Sequence, residues 1–126
     1  MTKWDVELCC GIGFTVNDVD APTRDEAIKQ AIDLVTDNTT ILTDISVDKG
    51  DLEYDQCMYS KQHKGKWTVE LSFGIGFTVS NVEAPTQQEA AKKAKDLVLE
   101  DTMFMTDPQV EKSDLEFEQY TYFKEI

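Results

Sequence analysis

Trp4, Val6, Leu8, Cys10, Ile12, Phe14 and Val16 alternate with Asp5, Glu7, Cys9, Gly11, Gly13, Thr15 and Asn17. A period of two marks a strand with one buried face. The run is longer than an ordinary strand, and Gly11-Ile12-Gly13 interrupts it. A three-residue loop with glycine at its left-handed position would make a hairpin that sets Cys10 opposite Phe14 and Leu8 opposite Val16. Apolar residues then face apolar ones, whereas a two-residue loop would set them against polar ones. The competing reading is one long strand bent at the glycines; the pattern favours the hairpin. A helix should follow. Thr23 and, three residues on, Glu26 form the T-x-x-E capping signature, and Ala27, Ile28, Ala31, Leu34 and Val35 recur at helical spacing up to an end near Asn38. A last strand sends Leu52, Tyr54, Gln56 and Met58 one way and Asp51, Glu53, Asp55 and Cys57 the other.

The same order then recurs. Residues 4–61 align without a gap on residues 67–124 at a constant offset of 63, and about half the aligned positions are identical. Thr86 and Glu89 repeat the cap, and Ala90, Ala91, Ala94, Leu97 and Val98 repeat the helical stripe, with an end near Asp101. Two copies are too few for a solenoid. The pattern predicts one α+β domain spanning residues 1–126: a pseudo-twofold tandem repeat of β(β)αβ units, joined by a linker at residues 62–66. Its sheet is mainly antiparallel and carries both helices on one face. If the glycine segments are bends, the order becomes βαββαβ, which resembles the ferredoxin-like fold. If they are hairpins, Ile12 and Ile75 sit at exposed tips and become candidate partner contacts.

Charge changes the picture more than size does. The 126 residues carry 25 Asp and Glu against 12 Lys and Arg, a net charge of −13. Such a chain repels nucleic acid and anionic membranes, so its partners are basic protein surfaces or cations. Alternation places Asp5, Glu7, Asp51, Glu53, Asp55, Glu70, Asp114, Glu116 and Glu118 on the sheet face away from the helices. Carboxylates opposite one another across strands destabilise a sheet, so this face serves solubility or binding. No apolar leader opens the chain and no apolar run of membrane-spanning length occurs in it, and three cysteines make no disulfide framework. Reduced thiols in a cytoplasm are the expectation.

Little else carries chemistry. Gly-Ile-Gly-Phe-Thr lacks the third glycine and the strand-to-helix setting of a dinucleotide loop. His63 is the sole histidine, in the linker, where no base or nucleophile is positioned. Cys9 and Cys57 fall on the polar sides of their strands and are able to approach each other, while Cys10 belongs to the core. Trp4 and Trp67 are in phase with the apolar face and read as core anchors. The stretch from Asp44 to Asp51 offers oxygens, but Lys49 and the spacing depart from an EF-hand loop. These residues predict no catalytic group, no metal site and no cofactor.

The segment V-x-A-P-T-x-x-E-A, present as Val19–Ala27 and Val82–Ala90 after a hydrophobic β run, resembles small acidic domains of phage and phage-derived genes. The resemblance covers residues 4–35 and 67–98. It implies a viral accessory protein that inhibits or decoys a host nucleic-acid-binding enzyme. The sequence therefore points to a non-enzymatic protein that binds a basic protein surface through acidic strands, in part by imitating the charge spacing of DNA. The alternative is a structural protein that forms homo-oligomers, its acidic face serving solubility.

Overall fold

A computed structural model describes residues 2–126. In chain order the elements are β1 (Lys3–Asp20), α1 (Arg24–Asn38), β2 (Thr40–Leu42), β3 (Val47–Lys49), β4 (Glu53–His63), β5 (Lys66–Glu83), α2 (Gln87–Asp101), β6 (Met103–Met105), β7 (Val110–Lys112) and β8 (Glu116–Glu125). The architecture is α+β, a mostly antiparallel sheet with two helices.

The expected hairpins at Gly11 and Gly74 do not form. β1 and β5 are each one strand of 18 residues, and Gly65 is the only described glycine with positive φ. The reason lies in what each alternative buries. A local hairpin would pair a few residues and leave Ile12 and Ile75 at tips. The long strands instead pair with each other from Lys3 opposite Glu83 to Asp20 opposite Lys66, with Gly11 opposite Gly74 between. Ile12 and Ile75 are then each only 3% exposed, so neither is a surface contact. The segment expected as a linker holds a tight turn between β4 and β5. His63 pairs with Lys66, and Lys64 and Gly65 turn with φ of 51° and 81°. Positive φ at both central residues is the two-residue turn that matches strand twist.

The outer edge of β5 takes β3 and β4, and the outer edge of β1 takes β7 and β8. Register shifts interrupt both long pairings and the central ladder. Asp18 and Asn81 occupy the central shifts with φ of 56° and 58°, a left-handed conformation that Asp and Asn tolerate better than most residues. There the inward phase steps from Val16 to Val19 and from Val79 to Val82, all buried. Bulges in β4 also overturn its expected alternation. Cys57 pairs with Leu71 and packs against the core, while Met58 is 62% exposed.

Both helices lie on the same face. Thr23 and Thr86 cap them, each hydroxyl accepting from a backbone N–H three residues on, at 3.2 Å. Ala27, Ala31 and Val35 of α1 pack with Ile12, Phe14 and Val16 of β1 and with Val69, Leu71 and Phe73 of β5. Ala90, Ala94 and Val98 of α2 pack with Val6, Leu8 and Cys10 and with Ile75, Phe77 and Val79. Each helix thus covers part of both long strands, and Ile41, Leu52 and Leu115 touch both clusters. The indole N–H of Trp4 donates to the Ala84 carbonyl (3.1 Å), and that of Trp67 to the Ala21 carbonyl (3.0 Å). Both tryptophans are half-buried against the core, each fastening the end of the opposite long strand.

Phe14 and Phe73 meet edge to face at 5.4 Å in the first cluster. Replacement of Phe14 by Ala should cost about 3–5 kcal/mol of stability. Met58→Ala, on the surface, should stay within about 0.5 kcal/mol. Denaturant midpoints at constant m-value check both.

Candidate functional site

The helices leave the opposite face of the sheet open, and every second residue of β1 and β5 points into it. Small residues occupy its middle: Cys9 opposite Gly76, Gly11 opposite Gly74, and Gly13 opposite Ser72. Over Cys9, Gly74 and Gly76 this floor forms a trough of about 540 Å³, within the size range of ligand pockets. Its walls carry Asp51, Glu53 and Asp55 from one edge and Glu118 from the other, and no Lys, Arg or His lines it.

The trough is open on one half of the face only, and the cause is local. Above Gly13 stands Ser113, whose backbone N–H donates to the Gly13 carbonyl and whose hydroxyl accepts from the Gly13 N–H, both at 2.8 Å. Above Gly11 stands the Glu118 carboxylate, 3.1 Å from where a Cβ would lie. The residues at the same offset on the other half are Gly50, which donates to the Gly76 carbonyl at 2.7 Å, and the shorter Asp55. A Cβ on Gly74 would meet nothing nearer than 3.9 Å, and one on Gly76 nothing within 4 Å. The fold does not require glycine at residue 76. A strand glycine there weakens the sheet while leaving the backbone open to close approach.

The other acidic residues of the sequence reading spread away from this centre. Asp5 pairs opposite Lys124 at one end of β1, and its carboxylate accepts from the Asn81 N–H at 3.4 Å. Glu7 lies opposite Tyr122 and lines a separate hollow with Lys49. Glu70 lies opposite Tyr59, beside a third hollow with Glu111 and Lys112. Glu116 pairs opposite Gly11, and Asp114 is exposed just before β8. Asp51, Glu53, Asp55 and Glu118 are therefore the four brought together. The sequence reading missed the glycine floor, because it assigned those glycines to turns.

The cysteines part company. Cys9 lines the trough, while Cys57 packs against the first core cluster on the helix side, so the expected approach of the two is ruled out by the sheet between them. Cys10 is fully buried, and its thiol pKa is pushed up to about 12 by burial first, then by Cys9 and by the Glu118 carboxylate. Elsewhere Asp44 is held below the usual carboxylate range by the hydroxyl and then the backbone N–H of Ser46, both donating to its Oδ1. That oxygen therefore fixes a turn. Tyr120 is raised by burial and then by Asp96, and its hydroxyl donates to the Ala91 carbonyl. Among the described residues no group of His, Cys, Asp and Glu has a metal-binding arrangement, and no helix is long and apolar enough to cross a membrane.

No protein-family model, no curated protein and no solved structure matches this chain.

Two measurements probe the site. Gly76→Ala should raise stability by about 0.4–1 kcal/mol in denaturant unfolding, since it removes unfolded-chain freedom and meets no neighbour. Cys10 should resist alkylation at pH 8 in the native state and react only on unfolding. With its folded pKa above the ordinary value of 9.0, stability should also fall as pH rises above about 9, where the unfolded thiol ionises and the folded one does not. Thiol labelling with mass spectrometry checks the first part and alkaline unfolding the second.

Proposed function

We propose that this chain is a non-enzymatic protein of the phage accessory type, which binds a basic protein surface through the open face of its sheet. The observation that carries this reading is the sign of the trough: four carboxylates wall it and no cationic side chain lines it. Like charges gathered across a sheet weaken the fold, so their concentration over a glycine floor is better accounted for by a partner than by folding. A host nucleic-acid-binding enzyme fits that chemistry, since its own site is built to receive phosphates. Acidic side chains at strand spacing take the place of the phosphates, and electrostatic complementarity sets on-rate and specificity.

The same reading takes the chain as one domain of two copies on the ferredoxin-like βαββαβ plan. Two facts support this. Gly11 faces Gly74 and Ile41 faces Phe104, each pair being 63 residues apart, as a pseudo-twofold axis through both ladders requires. With β3 and β4 taken as one outer strand and β7 and β8 as the other, the long strands β5 and β1 lie between them. The copies then differ where it matters, at Gly50 against Ser113 and at Asp55 against Glu118.

Reversing Glu53, Asp55, Glu116 and Glu118 to Lys tests the binding reading. Pull-down from host-type lysate at low salt should recover a basic nucleic-acid-binding protein. That protein should elute at high salt, and the reversed variant should bind it at least roughly tenfold more weakly. Partner binding that survives reversal would remove the acidic face from the account. Oligomers that persist in high salt, with no basic protein bound, would favour the structural alternative.

A further inference from the structure

We propose that the outward face of the β2–β6 ribbon is a second docking site, for a basic amphipathic helix of a partner protein. The ribbon pairs Thr40 with Met105, Ile41 with Phe104 and Leu42 with Met103. Ile41 and Phe104 point inward, where Ile41 touches both core clusters and Phe104 is 8% exposed. Alternation sends the remaining four residues outward. Antiparallel strands with one face on a core normally turn polar side chains to water. Here three of the four are apolar: Leu42 is 49% exposed, Met103 63% and Met105 58%. Folding buries only part of each of these side chains. Methionine, unbranched and polarisable, is the side chain that re-packs best against varied partners.

The electrostatics of the same place select the occupant. β2 and β6 each begin directly after a helix C-cap, Thr39 and Thr102, so both helix C-termini flank the ribbon. The Thr43 and Thr102 hydroxyls meet at 2.9 Å and tie the two chain segments together. A helix C-terminus is the negative pole and is stabilised by Lys or Arg in its last turn. Neither last turn has a basic residue. α1 ends on exposed Asp37 and Asn38, and α2 on exposed Glu100 and Asp101. An apolar strip thus lies between two helix C-termini: Lys49 lines a hollow with Thr36, Thr39 and Thr40 beside the first, while the second ends on Glu100 and Asp101 with no basic residue in its last turn. A second copy of this chain, with the same rim and a net charge of −13, is repelled from it. Each ribbon strand is three residues long, too short for an added strand to gain many main-chain hydrogen bonds. A helix with apolar anchors at i, i+3 and i+4, flanked by Lys or Arg, matches both the strip and its rim.

The test uses the whole chain and two fluorescein-labelled Leu/Lys peptides of about four helical turns. One is patterned at i, i+3 and i+4; the other has the same composition scrambled. Anisotropy at moderate salt should show the patterned peptide binding at least tenfold more tightly, with amide shifts in Thr40–Leu42 and Met103–Met105. The variant L42S/M103S/M105S, altered only at exposed positions, should lose that preference. The variant E53Q/D55Q/E118Q should keep it, so this site and the acidic trough stand or fall separately. Equal binding of the two peptides, shifts confined to the open sheet face, or a preference that survives the ribbon variant would each overturn the proposal. Concentration-dependent dimers abolished by the ribbon variant would overturn it in favour of a second copy.

Discussion

The antiparallel ladder between β1 and β5 is the interaction from which the rest follows. Each of these strands has 18 residues, and their inward side chains supply both core clusters. Each helix rests on parts of both strands, so neither half of the chain encloses its hydrophobic residues alone. The helices and the outer strands are placed by this pair, while β2 and β6 pair with each other. The outer strands add to its two free edges, and the tryptophans fasten its ends through the Ala21 and Ala84 carbonyls.

That arrangement couples core and surface through a single alternation. Because one face is covered by two Ala-rich helices and the other is left open, residues one step apart in sequence have opposite roles. Leu8 and Cys10 are buried, while Cys9 between them lines the trough. The edge bulges place Glu118 over the floor of the trough and turn Met58 outward. Bulges at sheet edges commonly re-aim side chains and make an edge a poor template for another strand.

Departures from what folding favours gather in two places. On the open face they are strand glycines with free space above them and carboxylates without cationic neighbours. At the ribbon they are exposed Leu and Met side chains beside helix C-termini that end on acids. A fold tuned for stability alone would set alanine or a β-branched residue at Gly76 and lysine near Asp37 or Asp101. Local rules broken without a structural gain are expected at functional sites, and both proposed surfaces rest on such positions.

The sequence by itself determined whatever depends on short spacings. The caps at Thr23 and Thr86, the helix ends at Asn38 and Asp101, the inward set from Val6 to Val16 and the outward placement of Glu7 and Glu70 all follow from periods of two and of 3.6 residues. Only the tertiary structure decided what depends on distant partners. A hairpin at Gly11 and a continuous strand show the same alternation, and the choice between them rests on whether Ile12 is buried by Phe73, a residue far along the chain. The bulges that turn Cys57 inward follow from the same cause, since register is set by the strand alongside. So does the three-residue pairing of β2 with β6, too short to leave a periodic trace. The trough itself needs Gly50, Asp55 and Glu118 brought to one floor from separate elements, and no local pattern records that meeting.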